Sequence, residues 1–216
     1  MQPQTWARQN TQIPRTYISS HAAGMVVVKI AEDGKVEFLL VDYTIRGQKT
    51  KRCLMGKQDS KTDSPIDTLR REMREEAIAD KSPDFLCELV GKTPIVLTET
   101  VYDQEDERGY HLKMFSLVKI VTGKLRTDIL VERDGIEEEI LGPPTWYDAA
   151  EALEMVSPES ASKPVHVRAL KAALLMLVSM YPKVAARYSQ IADIYCGGVD
   201  RRPFKPIVID YLKRFV

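Results

Sequence analysis

The stretch that decides the fold reads REMREE and spans residues 71–76. Its glutamates, Glu72, Glu75 and Glu76, are spaced i, i+3 and i+4, so on a helix they lie on one narrow stripe. Like charges at this spacing repel each other, whereas carboxylate oxygens are the ligands that Mg²⁺, Mn²⁺ and Ca²⁺ prefer. The spacing therefore indicates metal-dependent chemistry. The alternative is a solvated acidic face whose charges pair with neighbouring arginines.

Sequence signals also predict where this helix begins. Ser64 is a favourable N-cap residue, Pro65 suits the first helical position, and Asp67 stands where the acid of a capping box belongs. Apolar residues at helical spacing predict the inward face: Ile66, Leu69, Met73 and Ala77. The glutamate stripe lies beside that face, so the carboxylates border the core and can line a cleft.

The region around this helix resembles the Nudix box, whose pattern is G-x5-E-x7-R-E-x2-E-E-x-G. Asp63 takes the first acidic position, seven residues separate it from Arg71, and the three glutamates follow at the family spacing. Residues 23–28 are similar to the family's opening strand, and residues 146–156 to its final strand and following helix. The resemblance covers roughly residues 20–180. It implies an α/β fold, a Nudix-like α/β/α sandwich with a mixed sheet, here followed by a C-terminal helical extension.

The chain departs from the family pattern in three ways. The loop after Gly56 has one extra residue, Asp63 is shorter than the family's glutamate, and Ile78 stands where the pattern ends in glycine. A glycine there would permit a positive φ at the helix end, which a β-branched residue resists. Either the helix runs on toward Asp80 or the exit turn differs. The departures leave open a domain that keeps the fold and has lost or altered activity.

Composition narrows the class of protein further. The chain has 216 residues, of which 44% are hydrophobic, enough for one packed α/β domain with extensions. Its 31 basic and 31 acidic residues balance, so nothing favours nucleic acid as a partner. Three scattered cysteines indicate free thiols in a reducing compartment. No apolar run has the length of a membrane span and the N-terminus does not resemble a signal peptide, so we expect a cytoplasmic protein without membrane contact.

The order of sequence patterns predicts the domain organisation. Residues 1–20 are predicted to be an N-terminal arm, 21–182 the Nudix-like domain, and 183–216 a C-terminal extension packed on the domain or at a homodimer interface. Asp33-Gly34 predicts a hairpin turn between two strands. Residues 45–61 are interpreted as a basic loop, and 132–139 as an acidic stretch before a strand. Further strands are predicted at 86–90, 95–101 and 110–121, and helices at 149–156 and at 165–181, the latter stopped by Pro182.

The resemblance implies roles for the acidic residues. Nudix enzymes typically use Mg²⁺ or Mn²⁺ to hydrolyse a diphosphate linked to another moiety, often a nucleoside. By this resemblance Glu72, Glu75 and Glu76 are metal ligands, with Asp63 as an auxiliary one. Glu75 or Glu76 also helps to deprotonate the attacking water, and Arg71 orients a glutamate by a charge-assisted hydrogen bond.

Residues outside the box are candidates for supporting roles. Family members often recruit another acid from a later segment, and Glu138, Glu139 and Glu99 are candidates here beside Glu137. Each can equally be an ordinary solvated acid. The basic residues Lys57 and Arg52 are candidates for binding phosphate, with solubilising surface charge as the alternative. Gly56 is interpreted as a turn glycine that lets the backbone approach the site.

Two hypotheses follow from different classes of function. The first is a metal-dependent pyrophosphohydrolase that acts on a nucleoside diphosphate-linked or related small molecule. The second is a Nudix-fold nucleotide-binding or regulatory module that does not turn its ligand over. The intact glutamates favour the enzyme, whereas the extra loop residue and Ile78 favour the module.

Overall fold

A computed structural model describes most of the chain, including the helix that contains residues 71–76. The described residues are 18–45, 47–58, 64–79, 86–91, 95–102, 108–134, 137–156 and 164–196. The strands within these ranges are β1 (Ile18–Ile30), β2 (Val36–Ile45), β3 (Gln48–Arg52), β4 (Leu54–Lys57), β5 (Leu86–Leu89), β6 (Ile95–Tyr102), β7 (Arg108–Thr122), β8 (Leu130–Asp134), β9 (Glu137–Leu141) and β10 (Thr145–Asp148). The helices are α1 (Pro65–Glu76), α2 (Ala149–Met155), α3 (Pro164–Met180) and α4 (Pro182–Cys196).

Long strands that change partners along their length give the sheet its curl. Its main path runs β5-β7-β1-β2-β9-β8, while β6 also pairs with β7, β4 with β1, and β3 and β10 with β2. β1 and β7 are parallel, with Met25 opposite Ser116, and the other strand pairs are antiparallel. The first half of β1 pairs with β4 and its end pairs with β2. The result is a mixed sheet that bends around its central strands.

Alternate residues of the central strands pack into two separate cores. On β1, Val26 and Val28 face the core beneath α2 and α3, whereas Met25 and Val27 face the core beneath α1. Burial on both faces explains why residues 25–28 of β1 form an uninterrupted apolar run. Helices therefore cover both faces of the sheet, and the predicted α/β/α sandwich is confirmed.

The helix predicted at 165–181 and stopped by Pro182 is confirmed, and a further helix follows it. α3 ends at Met180 and Pro182 begins α4, a position that suits a residue with no backbone N–H to offer. The hydroxyl of Tyr188 in α4 accepts a hydrogen bond from the Val36 N–H at 3.1 Å and donates one to Asp148 Oδ2 at 3.0 Å, which ties α4 to β2 and to the start of α2.

Both ends of the chain lie partly outside the described residues. Residues 1–17 of the predicted arm are not among them, and β1 begins at Ile18, inside the segment predicted as arm. Residues 197–216 also lie outside, so a role for them and a homodimer interface stay predictions. Cys53 and Cys87 are free thiols. No helix in the described ranges is long and apolar enough to cross a membrane.

Two segments predicted as loop or acidic stretch form strands. Residues 45–61 contain β3 and β4, where Thr50 lies opposite Tyr43 and Gly56 opposite Ala23. Lysines on β3 hide its strand character, because an edge strand carries such charges where a central strand would carry apolar residues. Within the acidic stretch, residues 132–134 and 137–139 belong to the antiparallel pair β8–β9. β4 pairs with β1 and β9 pairs with β2, and local composition does not reveal such pairing between strands that are distant in sequence.

Helix α1 begins as predicted and ends differently from the family pattern. Ser64 and Asp67 form the capping box, with the Ser64 hydroxyl accepting from the Asp67 N–H. Ile66, predicted to point inward, is 45% exposed because the buried side of α1 is turned toward Glu72, Met73 and Glu76. After Glu76 the chain leaves the helix, and Ile78 forms an isolated antiparallel bridge with Leu125. The extended exit needs no glycine, which accounts for Ile78.

Candidate active site

The Glu72 carboxyl group lies directly against the backbone of β4. At Gly56 an added Cβ atom would lie 1.8 Å from the Glu72 Cδ and Oε1 atoms, far inside any permitted contact. Gly56 is therefore not the turn glycine that the sequence suggested. It is a strand glycine whose missing side chain makes room for a carboxylate.

Arg71 joins two of the glutamates to the same strand. Its Nη2 atom lies 2.6 Å from Glu72 Oε1 and donates a hydrogen bond of 2.6 Å to the carbonyl oxygen of Lys57. Its Nη1 atom lies 2.8 Å from Glu75 Oε2, one helical turn further on. One guanidinium group thus fixes the position of two carboxylates relative to the end of β4.

Glu76 is held from the other side by a second arginine. Arg52 Nη2 lies 2.6 Å from Glu76 Oε1, and the Met55 N–H donates to Glu76 Oε2 at 3.1 Å. Both carboxylate oxygens therefore have partners on neighbouring strands, one at the end of β3 and one in β4. The three glutamates of α1 are thus connected to β3 and β4, Glu72 and Glu75 through Arg71 and Glu76 through its own contacts.

The three glutamates differ in their exposure to solvent. The side chains of Glu72 and Glu76 are buried, whereas that of Glu75 is 50% exposed. Burial raises the pKa of the Glu72 carboxyl above its ordinary value, and the positive charge of Arg71 opposes this shift. Burial of two carboxylates costs free energy, which their ion pairs with Arg52 and Arg71 offset, so this side of α1 is not a solvated acidic face.

Of the supporting acids, Glu139 is connected to this cluster. It lies on β9 opposite Ile45, and it hydrogen-bonds to the side chain of Tyr43. The Tyr43 ring in turn lies against Arg52, with 3.8 Å between the guanidinium carbon and the ring centroid. Burial raises the pKa of the Tyr43 hydroxyl, and the bond to Glu139 adds to the shift. Glu139, Tyr43, Arg52 and Glu76 thus form one continuous chain of contacts.

The remaining candidates stay predictions. Lys57 ends β4 with its side chain exposed beside Arg71. Glu99 lies on β6 opposite His111, and Glu138 lies on β9 opposite Arg133, but the side chains of these two acids are outside the described residues. Asp63 falls wholly outside them.

The donor set on α1 fits a divalent cation in its chemistry. It offers only hard carboxylate oxygens, and Gly56 leaves the space beside Glu72 that a side chain would fill. In the described part of the chain, no three acidic, histidine or cysteine side chains converge as metal ligands do. The carboxylates point instead toward Arg52 and Arg71, so a cation must compete with these two arginines.

Sequence reasoning missed Arg126, which is buried at the end of α1. Its guanidinium group donates hydrogen bonds to three carbonyl oxygens, those of Glu76, Asp128 and Gly142. The backbone N–H of Arg126 donates a hydrogen bond of 3.0 Å to the carbonyl oxygen of Ala77. Arg126 thereby fixes the last turn of α1, and with it Glu76, to the segments on either side of β8 and β9. Nothing in the neighbouring sequence distinguishes it from a surface arginine.

Comparisons with known structures give similar folds at low sequence identity. No protein-family model and no curated protein sequence matches the chain. A NUDIX hydrolase from Nitrosomonas europaea is similar at 17% identity and a TM-score of 0.44, over 70% of this chain and 86% of that one. A C. elegans Ap4A hydrolase binary complex is similar at 14% identity and a TM-score of 0.42, over 79% of this chain and 98% of that one. The NUDIX domain of Shewanella oneidensis NrtR complexed with ADP ribose is similar at 14% identity and a TM-score of 0.40, over 70% of this chain and 88% of that one. Similarities at this level of identity and TM-score assign no function to this chain. A functional proposal must therefore be supported by the residues of the site.

Proposed function

We propose that the carboxylate cluster of α1 is the active site of a metal-dependent hydrolase that cleaves a diphosphate bond. The observation that carries the proposal is the Glu72 carboxyl group, buried against Gly56 where no side chain has room. Two buried carboxylates, one of them packed against the backbone at Gly56, are costly for folding and useful for binding phosphate through a cation. A solvated acidic face would need neither the cradle nor the burial.

Mg²⁺ or Mn²⁺ is the proposed cofactor, with Glu72, Glu75 and Glu76 as its ligands and Asp63 as an auxiliary one. When bound, such a cation neutralises phosphate charge and acidifies bound water. The chain's own groups position the reactants. Arg71 keeps Glu72 and Glu75 in fixed orientations through its three contacts.

Exposure divides the remaining roles among the site residues. Half-exposed Glu75 is the proposed base for the attacking water, because solvent reaches it while both oxygens of Glu76 already have protein partners. Lys57, exposed beside Arg71, and Arg52 are the proposed cations for the substrate's phosphates. By the Nudix resemblance, the substrate class is a nucleoside diphosphate-linked or related small molecule.

A binding module without turnover is the second candidate. It is favoured by the ion pair between Arg52 and Glu76, which already neutralises one of the proposed ligands. A module of this kind would hold a nucleotide beside the arginines and need no cation.

A hydrolysis screen separates the two candidates. Nucleotide sugars, dinucleoside polyphosphates and nucleoside triphosphates would be incubated with the protein in Mg²⁺, in Mn²⁺ and in EDTA, with Glu76→Gln in parallel. The hydrolase proposal expects metal-dependent product release that collapses in the variant. A compound that raises the melting temperature and is recovered intact in both metals would establish the binding module instead.

A further inference from the structure

The carboxylate cluster of α1 already has a positively charged side chain, that of Arg52, beside the glutamates that are proposed to bind a cation. Arg52 contacts Glu76 Oε1 at 2.6 Å, and its side chain is only 12% exposed. Its charge also acts on Glu72, whose pKa it lowers together with Arg71 against the larger effect of burial. A single guanidinium group therefore influences two of the three proposed metal ligands.

Neighbouring side chains, and not a complete set of hydrogen bonds, hold the Arg52 guanidinium group beside Glu76. The Tyr43 ring supports the guanidinium at 3.8 Å, and Glu139 fixes the hydroxyl of that ring. The Arg52 Nε atom is buried without a hydrogen-bond partner among the described residues. An unpaired buried donor costs stability, so ion pairing and ring stacking must outweigh that cost.

Electrostatics makes Arg52 and a divalent cation competitors for Glu76. A guanidinium 2.6 Å from the carboxylate neutralises it and repels a second cation, and this repulsion is strong in a site sheltered from water. Arginine keeps its charge at every working pH, so only movement of the side chain removes the competition.

We propose that Arg52 is an internal counterion that competes with the divalent cation for Glu76 and thereby sets the metal affinity of the site, with Tyr43 as the residue that positions it. The inference rests on the proposed function, since it takes α1 to be the metal-binding helix. It makes Arg52 a regulating residue, in addition to any contact it makes with phosphate.

The opposite role for Arg52 makes the opposite prediction. If the arginine only orients Glu76 toward the metal, its removal leaves Glu76 loose, and the site binds the cation more weakly. If it competes, removal of its charge exposes Glu76, and the site binds the cation more tightly.

The test measures Mn²⁺ affinity by calorimetry or by the electron paramagnetic resonance signal of free Mn²⁺. We expect Arg52→Gln and Arg52→Met to bind Mn²⁺ about tenfold more tightly than wild type or better, since the lost repulsion is that of a sheltered charge. Arg52→Lys, which keeps the charge, should stay close to wild type. Melting temperatures identify any variant that does not fold, and Arg52→Met retains an aliphatic stem to pack on Tyr43.

Arg187→Gln is the matched control. Arg187 also pairs with an acid, Asp33 at 3.4 Å, and lies near a tyrosine ring, that of Tyr188, but it belongs to α4. Its removal should leave Mn²⁺ affinity unchanged. Equal or weaker binding in both neutral Arg52 variants would overturn the proposal, as would no Mn²⁺ binding by any of the proteins.

The same preparations separate this inference from the proposed function. Hydrolysis by wild type without tighter Mn²⁺ binding in the variants overturns the role of Arg52 alone. Tighter Mn²⁺ binding in Arg52→Gln, with a screened compound that binds the wild type and is recovered intact in both metals, supports the role of Arg52 and overturns the hydrolase.

Discussion

The face of the sheet beneath α3 and the face beneath α1 are lined by alternate residues of the same strands, yet they bury different chemistry. Beneath α3 the core is a large apolar cluster that includes Phe38, Phe115 and Leu174. Beneath α1 the apolar cluster is smaller, and the buried glutamate and arginine side chains of the described residues adjoin that helix: Glu72, Glu76 and Arg126.

This difference shows how one sheet serves two purposes. Apolar burial beneath α3 supplies free energy of folding, at about 25 cal/mol per Å² of apolar surface. Burial of carboxylates beneath α1 contributes less free energy of folding than apolar burial, or costs free energy. Ion pairs with Arg52 and Arg71 and the carbonyl contacts of Arg126 hold these carboxylates in place. The account therefore expects stability and activity to respond to different halves of the molecule.

The largest expected effect is on stability, from the α3 side. Leu174→Ala removes a fully buried side chain and should lower the free energy of unfolding by about 2–5 kcal/mol, measured in urea. Turnover at a temperature where the variant remains folded should stay close to that of wild type. A folded variant that has lost its turnover would contradict the separation of the two faces.

The next effect is on activity, from the α1 side. Gly56→Ala places a methyl group where the Glu72 carboxyl lies, so Glu72 must move, and a misplacement of this size should reduce turnover by about 100-fold. Gly47→Ala is the matched control. A Cβ there meets no atom within 4 Å but takes a positive φ, so it should cost stability and leave turnover intact. Equal turnover in Gly56→Ala and wild type would mean that Glu72 is not part of the site.

The smallest effect is a pH dependence of stability. The folded chain holds the Glu72 proton more tightly than the unfolded chain, because burial raises its pKa above 4.5. The stability contributed by this group is thus fully present below pH 4.5 and is lost as the pH rises through the folded pKa. The melting temperature of Glu72→Gln relative to wild type should therefore increase from pH 4 to pH 7. A difference that is constant with pH would indicate a carboxyl group without a raised pKa.

The sequence predicted those parts of the fold that depend on local signals. The capping box at Ser64, the apolar run of β1 and the helical spacing of the glutamates each follow from neighbouring residues. β3 was missed because it carries lysines in place of apolar residues, although it pairs with the adjacent strand β2. β4 was missed because its strand character comes from pairing with β1, which is distant in sequence.

The same reason limits what could be predicted about the site. The glutamates and Arg71 belong to one motif and were found together. The contacts of Arg52 with Glu76, of Glu139 with Tyr43 and of Arg126 with the end of α1 join residues 24 to 96 positions apart, and no spacing rule reports them. The sequence points to Gly56, but only the position of β4 beside Glu72 gives the reason for a glycine there.

The central claim is that the carboxylates of α1 carry out hydrolysis, and Glu75→Gln tests it most directly because this side chain is half exposed and its loss should not disturb the core. The measurement is the rate of hydrolysis of the best compound from the screen in Mn²⁺, with Glu151→Gln on the exposed surface of α2 as control. The account predicts a loss of about 100-fold or more in Glu75→Gln, at an unchanged melting temperature, and wild-type turnover in the control. Wild-type turnover in Glu75→Gln would contradict it.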